Sequence, residues 1–342
     1  MSKHKIHRLF ILVILAIIAA VLIVVVTIER WPQYTAKPEY ELIVEEKLAE
    51  YHDKNLNYKV GICEYDHLGE YLNYGSKNPY AAPPPQNVIS DNDGIPKVKY
   101  ENQYYYNPVT VAQYSLTVYG EYLHGEDVLP EFITAADKLI SMQDDSGAFR
   151  YPFSFEYYLS GEVYQAGWAS GMAQGQALSA FARAYFVTND ERYLEAGDKA
   201  LQFLITPVAD GGVMDTLEDL HPSLKKYVIF EEYVAEPASY TLNGFMFSLL
   251  GLHDWAQVSS GEIKELSEQN FESGIETLEK ILPYYDIGGF SAYDLGHITY
   301  KAKPHAIAKY HAIHIYLLHA LYTITDNETI HEFEQLWALY VE

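Results

Sequence analysis

The sequence predicts a mostly α protein in which helical hairpins stack as either a bundle or an α/α toroid. Three observations carry this. From Asn107 to the C-terminus the apolar residues recur with helical period; the periodic segments come in pairs; and long loops rich in tyrosine, glutamate and glycine separate the pairs. With 342 residues, 49% of them hydrophobic, the chain is long enough and apolar enough to bury a substantial core.

In chain order, residues 9–28 (LFILVILAIIAAVLIVVVTI) carry no charge and one hydroxyl. At about 1.5 Å per residue such a run spans a bilayer core as a helix, so it reads as a transmembrane anchor behind a short cytoplasmic tail of residues 1–8. Lys3, Lys5 and Arg8 precede it, while Glu29 and Arg30 cancel behind it. The positive-inside rule therefore places everything after residue 30 outside the cytoplasm. No A-x-A-like cleavage site follows the run, which argues against a removed signal peptide. Residues 29–106 read as a spacer region. Pro38 to His52 suggests a short helix, residues 58–76 alternate with Gly61, Gly69 and Gly75 like a β-hairpin, and Ala81–Pro85 breaks regular structure. Asp91-Asn92-Asp93-Gly94 lacks the spaced ligands and closing glutamate of a calcium loop, so it reads as a turn. The helical part, residues 107–342, resolves into segments at 107–123, 129–143, 168–187, 191–205, 239–257, 261–282, 304–325 and 328–340. The loops at 144–167, 206–238 and 283–303 are expected to gather at one end and to form a cleft there.

Charge narrows the partners. Setting aside residues 1–30 removes four basic residues and one acidic residue, leaving 19 basic against 46 acidic. Nucleic acid is an unfavourable partner for such a surface. An acidic polysaccharide is repelled at long range as well, and must be bound by local cations and hydrogen-bond donors. Cys63 is the single cysteine, so packing rather than a disulfide stabilises the domain. The 32 tyrosines offer flat apolar faces and phenols, a combination that suits a groove for a polyhydroxylated ligand, although most of them are expected simply to pack. Glu231, Glu232 and Tyr233 stand together immediately before a Pro-containing turn and an apolar segment. They are candidates for proton transfer or, equally, solvated charges before a helix.

Four blocks carry a family resemblance: Gly94-Ile95-Pro96 with NPVTVAQYSLTVY (107–119); AADKLISMQDDSGAF (135–149) with GWASGMAQGQALSAFARAY (167–185); EEYVAEPASYTLNGFMFSLLGL (231–252); and LPYYDIGGFSAYDLGH (282–297) with KYHAIHI (309–315). In these the chain resembles the D-glucuronyl C5-epimerases, which invert carbon 5 of glucuronate to iduronate within heparan-type polysaccharides. The β-sandwich that animal members carry between the first two blocks has no room here. The resemblance implies an incomplete α/α toroid, a heparosan-like substrate, a homodimer, and no cofactor. It also implies no metal, because the calcium site of animal members belongs to the missing sandwich, and no Cys/His ligand spacing is present. By position it implies Glu232 as base, Tyr310 as the facing acid, and Tyr233 and Tyr293 as hydrogen-bonding partners of the sugar. Gln113, Asn243, His297, Lys309, His311 and Tyr105 are implied substrate contacts, with packing or capping an open alternative for the histidines and for Gln113 and Asn243. Departures bear on the substrate. Gly296 stands where the family writes arginine in YDLRH, Ile307-Ala308-Lys309 replaces Arg-Trp-Asp, and Phe247 replaces tyrosine. Fewer guanidinium groups favour a less sulfated uronate polymer. A uronate lyase starts from the same proton abstraction, and a non-catalytic glycan-binding protein is the third reading.

Overall fold

The computed structural model describes residues 37–77 and 86–342. The expected transmembrane run at 9–28 and the proline break at 81–85 lie outside the described residues. Among the described residues, no helix is long and apolar enough to cross a membrane.

Among the described residues the domain is mostly helical with three small antiparallel sheets, one of them the ribbon β4 (Phe155–Glu156) with β5 (Val163–Tyr164). A 3-10 turn at Pro38–Tyr40 leads into α1 (Glu41–Asp53), which buries Val44 and Tyr51. This helix does not act as a free spacer, because it docks on α9 (Ala308–Thr325). The hairpin expected at 58–76 is absent: the segment runs through turns to a 3-10 turn at Tyr74–Lys77. Its side chains, rather than a strand ladder, fix its path. Tyr65 and Tyr71 are buried, and Gly75 crosses Gly120 so closely that an added Cβ would lie 2.5 Å from the Gly120 carbonyl carbon. The three-stranded sheet lies further on, in β1 (Val88–Ser90), β2 (Pro96–Tyr100) and β3 (Gln103–Tyr105), with Val98 opposite both Val88 and Tyr105. Asp91-Asn92-Asp93-Gly94 is the turn between β1 and β2, its Asp91 carboxylate accepting from the Asp93 and Ile95 amides.

All eight predicted helices are present. They pair as α2 (Pro108–Leu123) with α3 (Leu129–Met142), α4 (Gly171–Thr188) with α5 (Glu191–Leu204), α6 (Leu242–Val258) with α7 (Gly261–Tyr285), and α9 with α10 (Glu328–Tyr340); the single-turn α8 (Gly296–Thr299) precedes α9. Local chemistry sets the turns. Asn107 caps α2 by accepting from the Thr110 amide, with Pro108 at the first helical position, where a missing N–H costs nothing. Asn189 and Asp326 take left-handed conformations at φ 54° and 55° to end α4 and α9, and the next residues, Asp190 and Asn327, cap the following helices. Helix α7 runs past Pro283, where the sequence suggested a stop.

The first helices of the pairs form an inner arc, with α4 packed on α2 and α6, and α6 packed on α9. Because α4 and α6 have neighbours on every side, they are apolar all round, and their axes approach closely. A Cβ at Gly251 would lie 2.2 Å from the Gly175 carbonyl oxygen, so the glycines permit the contact. The ends of the arc, α2 and α9, are not packed together as the others are. The segment 56–74 fills part of that gap and is tied to the arc by a fully buried ion pair. Arg183 of α4 donates to Asp254 of α6 at 2.8 Å, to the Ser179 carbonyl, and to the carbonyls of Asp66 and Gly69; Tyr65 donates to the same Asp254 oxygen at 2.8 Å.

Removing one partner of such a pair strands a buried charge, at a cost of about 3–5 kcal/mol. Arg183→Leu is therefore expected to lower unfolding stability by roughly that amount in denaturant titrations, and Tyr65→Phe by about 1–2 kcal/mol, the value of one hydrogen bond to a charged acceptor. An Arg183→Leu protein as stable as the parent would show that this pair does not hold the N-terminal segment in place.

Candidate active site

At one end of the arc a cavity of about 220 Å³ is lined by residues from β2, α2, the 144–170 and 231–241 loops and α9; among them are Tyr100, Gln113, Trp168, Glu232, Tyr233 and Tyr310. Two of the three long loops expected to gather at one end, 144–167 and 206–238, thus meet here. The third, 283–303, supplies Tyr293, whose hydroxyl donates to Glu232 Oε1 at 3.3 Å and whose ring meets Tyr310 edge to face at 4.7 Å.

Glu231 and Glu232 lie just after β7 (Val228–Phe230), which pairs with β6 (Met214–Thr216). Successive side chains on extended backbone alternate in direction, so the two glutamates have different fates. Glu231 is buried, and burial with Asp215 and Asp219 nearby holds its carboxyl well above the usual range. Glu232 faces the cavity wall, 8% exposed, against the N-terminus of α6. There the Asn243 amide donates to Oε2 at 3.3 Å, and the Gly244 amide also bonds the carboxylate. Only glycine fits at 244: an added Cβ would lie 2.3 Å from Glu232 Oε2. Burial pushes the Glu232 carboxyl up to about 7, opposed by the Tyr233 and Tyr293 hydroxyls, Asn243 and the Gly244 amide. Desolvation thus outweighs four donors and a helix N-terminus.

The phenols stay protonated. Burial and the Glu232 carboxylate raise Tyr310 to about 12, and the same causes raise Tyr233 and Tyr293 well above the ordinary tyrosine range. Each is fixed by neighbours. Tyr233 stacks on Phe155 at 5.4 Å and Trp168 at 6.1 Å. Tyr293 is flanked by His305 at 5.2 Å and Tyr158 at 6.4 Å, both hydrogen-bonded to the buried Asp294 at 2.9 and 2.8 Å.

The structure therefore brings Glu232, Tyr233, Tyr293 and Tyr310 together. Gln113 lines this cavity and a second, larger one, and Lys309 lines the second. Asn243 holds Glu232 rather than standing free for a sugar. Three expected contacts lie elsewhere. His297 packs edge to face with Tyr40 at 6.1 Å. His311 is buried between Phe290 and Trp337, bonded to Ser291 and the Trp337 carbonyl, and held neutral by burial, with its pKa down at about 3. Tyr105 bonds Gln103 and tilts against Phe153 at 5.7 Å, behind the cavity wall. Each directly neighbours, or lies near, a tyrosine that does serve the site, but one step along a helix turns a side chain by about 100°. Sequence reasoning missed Tyr100, at the end of β2, and Tyr151 and Trp168, which line the cavity from a loop whose aromatic residues carry no periodic signal.

A carboxyl raised by burial and facing protonated phenols in a small aromatic chamber is an arrangement suited to proton-transfer chemistry. The comparisons give that class a family. Residues 143–339 match the family model of the D-glucuronyl C5-epimerase C-terminus, and the chain belongs to this family. It is 34% identical over 220 residues to the D-glucuronyl C5-epimerase of Caenorhabditis elegans, which covers 61% of this chain and 34% of that protein. An uncharacterized protein of Methanocaldococcus jannaschii is 30% identical over 210 residues, 60% of this chain and 63% of the other. The chain thus spans about a third of the nematode relative and under two thirds of the archaeal one. Among solved structures, a family 76 glycoside hydrolase of Bacteroides thetaiotaomicron superposes with a TM-score of 0.45 at 15% identity, over 72% of this chain and 50% of that one.

The raised Glu232 pKa has a stability consequence of fixed sign. Between the ordinary carboxylate range and about 7 the folded protein holds a proton that the unfolded chain has lost, so stability falls as pH rises through that window. Glu232→Gln removes the buried charge and keeps the shape. It is expected to be more stable than the parent at pH 8, by roughly 1–3 kcal/mol, with the advantage fading as pH falls below the window. Chemical denaturation at pH 8 and pH 4 checks this, and a variant less stable at pH 8 would mean that the carboxylate is well solvated.

Proposed function

We propose that this protein epimerises D-glucuronate to L-iduronate within a heparosan-like polysaccharide, on an arc that is an incomplete α/α toroid. The observation that carries the reading is the shared cavity: Glu232 and Tyr310 line one chamber of about 220 Å³, with Tyr293 touching both. In the proposed reaction the Glu232 carboxylate removes the hydrogen on carbon 5. The substrate carboxylate takes up charge as an enediolate, and the hydroxyls of Tyr233 and Tyr293 donate hydrogen bonds to it. Tyr310 then delivers its proton to the opposite face of carbon 5, and the proton held by Glu232 restores the phenol before the next turnover. The base strength fits. A carboxyl near 7 is a stronger base than an ordinary one yet is still ionised at neutral pH, and a phenol near 12 keeps its proton until it is called for.

The few guanidinium groups support an unsulfated or lightly sulfated polymer. At Gly296 an added Cβ would meet the Leu159 side chain at 2.7 Å and the Asp294 carboxylate at 2.8 Å, so a larger residue there would have to displace both. The uncharged run at 9–28 supports a membrane-anchored protein with its catalytic domain outside the cytoplasm, a reading that protease accessibility of intact cells would test.

The central test is incubation with heparosan in heavy water followed by NMR of the uronate. Deuterium at carbon 5 with intact chain length is expected. Chain cleavage with ultraviolet-absorbing unsaturated ends would instead identify a lyase. Glu232→Gln and Tyr310→Phe are each expected to lower exchange by about a hundredfold to ten-thousandfold, the usual worth of a proton-transferring group, and near-parental exchange in both would exclude the pair. Because the base must be ionised, kcat/KM is expected to rise about tenfold per unit as pH increases toward 7 and then to level off. A rate that falls over that range would reject Glu232 as the base.

A further inference from the structure

Next to Tyr293 in the chain stands a carboxylate that the proposed reaction does not use. Asp294 is fully buried, and its one ion-pair partner among the described residues is His305. Its oxygens are nonetheless filled from three directions. Oδ1 accepts from the Gly296 amide at 2.8 Å, while Oδ2 accepts from the Tyr158 hydroxyl at 2.8 Å and from His305 Nδ1 at 2.9 Å. The two side-chain donors come from different segments. Tyr158 lies in the connection between β4 and β5, the ribbon whose Phe155 lines the cavity, and His305 lies in the run that leads into α9 and Tyr310. Tyr158 is 41% exposed, so its hydroxyl could have stayed in water, yet it turns inward to a buried carboxylate. Its neighbour Leu159 packs against Gly296, in space that a Cβ there would need. Two consecutive residues of the ribbon thus close on the turn that follows Tyr293.

Resting on the epimerase reading above, we propose that Asp294 is a positioning residue: with Tyr158 and His305 it latches the β4–β5 ribbon to the 293–296 turn and so fixes the Tyr293 hydroxyl on Glu232. The contacts run from the carboxylate to the phenol. His305 is tied to Tyr293 twice, by its carbonyl, which accepts from the Tyr293 amide at 2.6 Å, and by its ring, which meets the phenol edge to face at 5.2 Å. Tyr158 packs on His305 at 4.7 Å and on Tyr293 at 6.4 Å, so both latch side chains bear on the same ring. That ring reaches Glu232 through one hydrogen bond of 3.3 Å, long enough that a small displacement breaks it. Asp294 itself does not line the cavity, and it therefore acts only through the groups it holds. Holding loops of this kind in register is what keeps a reacting geometry within the narrow tolerance that proton transfer requires.

The test is kinetic and spectroscopic, on the full chain. Carbon-5 exchange with heparosan, above the pH at which Glu232 titrates, is compared in the parent, in Tyr158→Phe, which loses one oxygen from a partly exposed ring, and in His305→Ala and His305→Asn. Tyr158→Phe and His305→Ala are expected to lower kcat by about tenfold to a hundredfold with KM nearly unchanged. His305→Asn, whose amide can still donate to Asp294, is expected to recover most of that loss. Because the latch works through the Tyr293 hydroxyl, Tyr158→Phe is expected to cost nothing further in a Tyr293→Phe background. A second readout does not depend on turnover. The Tyr293 hydroxyl holds the Glu232 carboxyl down, so weakening that bond is expected to raise the Glu232 titration in Tyr158→Phe by up to about one pH unit, seen by carboxyl NMR assigned with Glu232→Gln. An unchanged kcat in Tyr158→Phe, an equal loss in the Tyr293→Phe background, or a Glu232 titration that does not move would overturn the latch. A parent that exchanges no hydrogen at carbon 5 defeats the epimerase reading instead, and the Glu232 titration then decides the latch alone.

Discussion

The constraint on which the rest of the structure depends is the burial of Glu232 without a countercharge. No lysine or arginine stands among the causes that set its titration; its partners are two phenols, an amide side chain and a backbone N–H. A cation would bind the carboxylate strongly and drive its pKa down. Neutral donors hold the group in place while leaving it near 7. The requirement propagates outward: glycine at 244 because the carboxylate occupies the place of a side chain, Asn243 turned back to bond Glu232, and a β6–β7 ribbon that aims one glutamate inward and its neighbour away.

The site must also be rigid, and an open arc does not supply rigidity by itself. Closed rings of hairpins brace each inner helix on both sides, but here α2 and α9 each lack one neighbour. The buried Arg183–Asp254 pair anchors the irregular chain at 65–72 to α4 and α6, and α1 docks on α9. Ordinary ion pairs of this burial return little net stability over apolar packing, but this one fixes four backbone and side-chain acceptors at once and so specifies where an otherwise featureless segment lies. The opening that remains is the one the second cavity uses.

The helical architecture was legible because it depends on periodicity, which sequence displays directly. All eight helices were foreseen, with errors at their ends where loops begin for tertiary reasons. Tyr240 sits in a left-handed conformation at φ 56°, and Trp168 to Ser170 stay extended to reach the cavity, so α6 and α4 begin later than their apolar patterns do. The segment 58–76 misled for the converse reason. Alternation punctuated by glycines suits a hairpin equally well, and what decides its path is Arg183, more than a hundred residues away. At the site, the family strings pointed to Glu232, Tyr233, Tyr293 and Tyr310. Adjacency in sequence then suggested His297 and His311, which the helix and turn geometry carries away from the cavity.

The acidity of the chain acquires a meaning from the positions of its few cations. Arg183 is consumed in the core, and Arg192 is paired with Asp190 and Asp137 at the surface. Arg150 is paired with Asp144. Lys309, in the lining of the second cavity, has no such partner among the described residues. A polyanion approaching this surface meets repulsion wherever salt does not screen it, with relief only where exposed lysines such as Lys301, Lys303 and Lys309 stand. Affinity for charge is thus kept low and local. The walls of the two cavities are instead mainly aromatic and aliphatic.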